Sequence, residues 1–109
     1  MATGRLGVSA IPGGVSGAGT VVYTVPTGYY TVLNVSCTNR NTASVKLRIA
    51  IANSSTPNAQ EYLEYDTTVI GSGVFERTGL VVNAGLNIVV YSDTANVGCT
   101  VYGIETSTT

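Results

Sequence analysis

The chain has no histidine and no tryptophan, and only 10% of its 109 residues are charged, against roughly 25% in an ordinary globular domain. Without histidine there is no Ser-His-Asp or Cys-His arrangement, and the commonest metal ligand and physiological proton shuttle are both missing. Cys37 and Cys99 lie far apart and lack the close pair spacing of a zinc site. Gly13-Gly-Val-Ser-Gly-Ala-Gly19 is rich in glycine but has no lysine, and it does not sit between a strand and a helix, so it is no phosphate loop. These absences leave no catalytic, cofactor-binding or metal residues to name and no small-molecule substrate to expect.

Charge excludes further partners. Arg5, Arg40, Lys46, Arg48 and Arg77 are scattered and the formal net charge is −1, which gives no basic stripe for neutralising phosphates; nucleic acid is not an expected partner. No stretch approaches the roughly 18 apolar residues of a membrane-spanning helix. Met1-Ala-Thr-Gly-Arg-Leu6 lacks the basic and apolar blocks of a signal peptide, so the expectation is a protein made and used without export and without a membrane.

What the chain does have is a period of two from Thr20 onward, the mark of strands with one face buried. Runs over 21–25, 29–37, 44–52, 60–66, 74–82, 86–92 and 97–105 are separated by Gly, Pro, Asn, Ser and Asp clusters. Thr31, Leu33, Val35 and Cys37 share one phase, opposite Tyr30, Val32, Asn34 and Ser36. Val45, Leu47, Ile49 and Ile51 share another, with Lys46, Arg48 and Ala50 facing out. Seven or eight short strands with turn signals roughly every 8–12 residues, and no 3.6-residue period, predict an all-β, antiparallel two-sheet sandwich over residues 20–105; a small barrel is the alternative.

Residues 1–19 hold six glycines and Pro12, so ordering them is entropically costly and few side chains reward it. This segment reads as an extended arm, anchored by Arg5, Leu6, Val8 and Ile11, that lies along a neighbouring surface or stays mobile. Residues 106–109 read as a polar tail. Cys37 and Cys99 both fall on inward phases; in the absence of an export signal they are expected to be reduced and buried, with an inter-sheet bridge as the alternative. Glu64 and Glu76 could form a carboxylate pair for glycoside chemistry. The simpler expectation is an ion pair of Glu64 with Arg77 across adjacent strands, worth a few tenths of a kcal/mol.

Seven tyrosines in a chain with one phenylalanine are the remaining signal. Tyrosine packs its ring while keeping its hydroxyl wet, which suits contact surfaces. Tyr30, Tyr91 and Tyr102 fall on the phase opposite the inward residues of their strands. With Arg5 and Leu6 of the arm they form the candidate interface, the alternative being that the tyrosines merely cap sheet edges.

Met1-Ala-Thr-Gly-Arg-Leu-Gly7, Tyr23-Thr-Val-Pro26, Asn39-Arg40-Asn41, Glu61-Tyr-Leu-Glu-Tyr-Asp66, Phe75-Glu-Arg-Thr-Gly79 and Val101-Tyr-Gly-Ile-Glu105 occur in that order. In this the chain resembles small virion structural proteins of tailed phages, particularly of the cyanophage type. The resemblance implies an immunoglobulin-like or jelly-roll-like sandwich that catalyses nothing. It further implies a capsid decoration (cement) protein, assembled into the virion in the host cytoplasm, that binds as a homo-oligomer across joints between subunits of the major capsid protein. A tail, baseplate or fibre component touching host-surface glycans is the alternative.

Overall fold

A computed structural model describes residues 3–14 and 19–108. Met1 and Ala2 of the opening motif, residues 15–18 of the glycine-rich stretch, and Thr109 lie outside the described residues. Among the described residues eight strands run in the order β1 (Thr3–Ile11), β2 (Thr20–Thr24), β3 (Tyr29–Asn39), β4 (Val45–Ala52), β5 (Tyr62–Val69), β6 (Val74–Val82), β7 (Asn87–Ser92) and β8 (Val97–Ser107). A 3-10 turn, Ala59–Glu61, precedes β5. They form two antiparallel four-stranded sheets, a first sheet ordered β1-β8-β3-β6 and a second ordered β2-β7-β4-β5.

The pairings show how the chain arrives there. β1 pairs with β8, β2 with β7, β3 with β6 and β4 with β5, as in one long hairpin whose arms are the two halves of the chain. Rolling that hairpin brings β3 against β8 and β4 against β7, closing both sheets. This is the eight-stranded jelly roll, built of two Greek keys. Of the two sandwich types the resemblance implies, the strand order selects this one.

The core lies between the sheets. Leu33, Val35, Cys37, Cys99 and Val101 from the first sheet meet Leu47, Ile49, Ile88 and Val90 from the second, all at most 1% exposed. Burial of each large aliphatic side chain stabilises by about 1.5–3 kcal/mol. Polar groups plug both ends of β3. At one end the Tyr23 hydroxyl reaches across from β2 to the Thr31 hydroxyl at 2.9 Å and donates to Glu105 Oε2 at 2.6 Å. At the other, buried Asn39 donates to the carbonyls of Ala43, Val69 and Ile70 and accepts from the Asn41 backbone and side chain. Asn39 therefore ends the strand and organises the loop beyond it.

The structure departs from three sequence expectations. The arm is not separate: Thr3–Ile11 is an edge strand of the first sheet, in register with β8 from Thr3–Ile104 to Ile11–Val97. Backbone pairing supplies the order that its side chains could not. Gly7 lets β1 close on β2, where a methyl would overlap the Val22 carbonyl oxygen, and Ile11 is buried in the core. Nor is Thr106-Ser107 a tail, because β8 continues through Ser107, paired with Tyr29, and Thr108 N–H donates to Gly28 O.

Cysteine is the third. Cys37 and Cys99 are joined by a disulfide, not left as free thiols, and the bridge lies within the first sheet instead of between sheets. They sit opposite each other on β3 and β8 with Cα atoms 4.3 Å apart, the close spacing of a non-hydrogen-bonded pair. Identical inward phase on two strands cannot reveal that the strands are neighbours.

Candidate functional site: the two outer sheet faces

Neighbouring residues in an antiparallel register share a face, so the outer surface of the first sheet can be read in rows. One row crosses Thr3, Ile104, Val32 and Val81; the next Arg5, Tyr102 and Asn34; the next Val8, Thr100, Ser36 and Glu76; the last Ala10, Gly98, Thr38 and Val74. Nine large apolar side chains are exposed among the described residues. Six of them, Val8, Tyr30, Val32, Val74, Val81 and Ile104, stand on this one face. An exposed sheet face normally alternates to polar residues, and a contiguous apolar patch marks a contact site.

Three of the five candidate interface residues come together here. Arg5 pairs with Tyr102 across β1 and β8, and Tyr30 lies on β3, one row beyond Val32. The Tyr102 hydroxyl donates to Glu76 Oε2 at 3.2 Å, and that hydrogen bond raises the phenol's pKa above its ordinary value. Leu6 does not join them. As the residue after outward-facing Arg5 in β1 it points inward, at the bulge between Arg5 and Gly7, and packs against the core.

Tyr91 belongs to the opposite face. On the outer side of the second sheet it stands beside Arg48, whose guanidinium carbon lies 4.6 Å from the Tyr91 ring centroid and 4.1 Å from that of Tyr65. Opposite Arg48, β5 carries an extra residue between Glu64 and Thr67, with Asp66 at φ 54°. This bulge delivers both Tyr65 and Asp66 to the same arginine. Arg48 Nε donates to Asp66 Oδ1 at 2.7 Å, which holds the Asp66 carboxyl below the usual carboxylate range and raises the guanidinium pKa further. Tyr62 meets Tyr65 edge-to-face at 5.0 Å, yet Tyr65 remains 59% exposed. The result is a fixed tyrosine–arginine row, of the composition that dominates protein contacts.

Beside that row the second sheet is roofed. Ala50, Ala52 and Val89 point outward but are at most 2% exposed, because Tyr62 packs over them. Gly19 sits against Val89 with no room for a side chain, and its N–H donates to Ser55 O in the loop after β4. Alternation placed Ala50 on the outer side but could not register the cover.

The carboxylates have partners of other kinds. Glu64 accepts from Arg77 Nη1 at 2.6 Å, as expected, but the pair spans the two sheets at the seam between β5 and β6, not two strands of one sheet. Arg77 turns inward toward that seam while Glu76, the next residue, turns to the outer face. Glu64 and Glu76 therefore do not converge on a common cleft. Sequence reasoning missed Val32, Val81 and Ile104, though their outward phase on three strands was a readable signal. It also missed Tyr65 and Asp66, for which the bulge left none. Compared with known proteins, the chain matches no family model, no curated protein and no solved structure.

Proposed function

We propose that this chain is a structural protein of a virus particle, a capsid decoration (cement) protein that binds the outer shell as a homo-oligomer, stabilises contacts between major capsid subunits and catalyses nothing. The observation that supports this reading is that the sandwich carries two contact-type surfaces on opposite sides: an exposed apolar face on the first sheet and a tyrosine–arginine row on the second. A body with two such faces can bridge neighbours. Jelly rolls also occur in viral capsid proteins, an analogy of fold alone.

In this reading the row of Tyr62, Tyr65, Arg48 and Tyr91 faces the shell. Its rings are held before contact, so little side-chain freedom is lost on binding. Many copies, each binding only the assembled lattice, stabilise it by linkage. The small net charge of −1 lets copies crowd without strong repulsion.

The test is made on particles. Shells lacking the protein are expected to burst at a lower temperature, and Tyr65→Ala with Tyr91→Ala to lower occupancy; an unchanged melting profile contradicts cementing, and unchanged occupancy contradicts the assigned face. The tail or fibre alternative draws its own support from the exposed Tyr65 ring beside the Asp66 carboxylate, which suits stacking on a sugar. Copy number separates the two, since hundreds per particle mean shell and a handful or dozens mean tail.

A further inference from the structure

We propose that the outer face of the first sheet is covered by the same face of a second copy, related by a two-fold axis parallel to the strands and lying between β8 and β3. This deepens the reading above by naming the copy-to-copy contact. It depends on that reading only for its place in a particle, and its test uses the isolated protein so that the two can fail separately.

The argument starts from the rows. A two-fold along the strands keeps each row at its own height and reverses the strand order, so β8 of one copy lies over β3 of the other and β1 over β6. Val32 then faces Ile104 of the second copy, and Ile104 faces Val32, because the two share a row. Thr3 faces Val81, and Ala10 faces Val74, by the same rule. The central apolar row is thus self-complementary, as an isologous interface requires.

Charge supports the same axis. The outer face holds Arg5 on one edge strand and Glu76 on the other. Arg5 makes no ion pair among the described residues, and Glu76 is held toward the face by the Tyr102 hydroxyl. Laying β1 over β6 brings each arginine within one row of the other copy's Glu76, giving two symmetric pairs at the rim. An axis running across the strands would also stack the apolar row on itself. It would, however, overlap only the rows near one end and set Arg5 over its own strand.

Size is sufficient. Four strands about 4.8 Å apart and some eight residues long present roughly 500–700 Å² per copy, so the pair buries above the about 1,000 Å² total that a specific interface needs. Sheets packed this way sit about 10 Å apart with strands aligned within about 30°.

Sedimentation of the purified chain, with its disulfide intact, tests the inference. The wild type is expected to sediment at twice its 11.2 kDa mass in a concentration-dependent equilibrium. Val32→Lys, and separately the more peripheral Val81→Lys, are expected to raise the dimer Kd by about 100-fold, since each buries an unpaired charge. Arg5→Glu and Glu76→Arg alone are each expected to weaken the dimer about 10-fold and the double exchange to restore it. A wild type that stays monomeric at its highest soluble concentration, including one that binds only to particles, overturns the proposal. So does a dimer indifferent to both lysine variants while their circular dichroism matches wild type, or a double exchange as weak as its singles.

Discussion

The outer faces of the two sheets begin from the same alternation and end differently. On the second sheet the outward positions Ala50, Ala52 and Val89 are small or β-branched and lie sealed beneath Tyr62 and Gly19, so that face contributes to the stability of the monomer. On the first sheet the outward positions Val32, Val81 and Ile104 are likewise β-branched but stand 43% to 63% exposed, so about half of their apolar area contributes nothing to the monomer. Apolar area left uncovered on a flat, hydrogen-bonded sheet stabilises only what comes to rest on it. Part of one face is thus the protein's own core, extended; the other is left bare, open to the proposed contact.

The largest expected effect sharpens the contrast in how the sheets are held. The first sheet is tied at its centre by the Cys37–Cys99 bridge, whereas among the described residues the second has no covalent link. Replacing both cysteines with alanine is expected to cost about 4 kcal/mol, read as a lower denaturant midpoint, because the closed loop is long. A midpoint unchanged under reducing agent would show that packing alone holds both sheets equally.

Next is the polar link between the sheets. Burial, and then the hydrogen bond to Glu105, push the Tyr23 phenol up to about 12 from its ordinary 10.0. The folded state therefore holds this proton more tightly than the unfolded state. The resulting stability is full below pH 10 and is lost as pH rises through about 12, a loss of up to about 2.5 kcal/mol. Tyr23→Phe should lack that component of the alkaline loss while starting about 1–2 kcal/mol less stable at neutral pH. Parallel alkaline titrations of stability in the two proteins would refute the assignment.

The contrast between the faces themselves comes third. Ala50→Leu, beneath the roof, is expected to destabilise by about 2 kcal/mol through overpacking. Val81→Thr, on the bare face, should move stability by no more than about 0.5 kcal/mol in dilute protein. Equal effects would mean that the faces do not differ in cover. Smallest is Arg77→Gln at the β5–β6 seam, where a partly exposed pair is worth under about 1 kcal/mol and should fade with added salt.

Much of this was legible in the chain. Phase alone identified the inward residues of β3, β4, β7 and β8, since a buried face fixes its own register. Turn residues marked the breaks between strands to within a few positions. β1 escaped because its order comes from backbone bonds to β8, a partner at the far end of the sequence. The disulfide escaped for the same reason: that β3 and β8 are neighbours is a property of the rolled hairpin, not of either strand. Of the candidate interface, Tyr30 and Tyr102 stand on the outer face that their phase indicated, and Arg5 joins them only through the β1–β8 pairing that the arm reading did not contain. Leu6 was read as an anchor of a free arm, whereas in β1 it follows outward-facing Arg5 and packs against the core; Tyr91 faces outward as its phase indicated, but on the other sheet, which periodicity does not assign.

The central claim is that the first sheet's outer face is bare in the lone molecule and covered when it works. Methyl NMR with a water-soluble paramagnetic agent tests this directly, comparing dilute protein with the assembled state, be it dimer or particle-bound. The account predicts that Val32, Val81 and Ile104 methyls are broadened when dilute and shielded when assembled, while Ala50, Ala52 and Val89 stay shielded in both. Equal broadening of Val32, Val81 and Ile104 in the two states would contradict it.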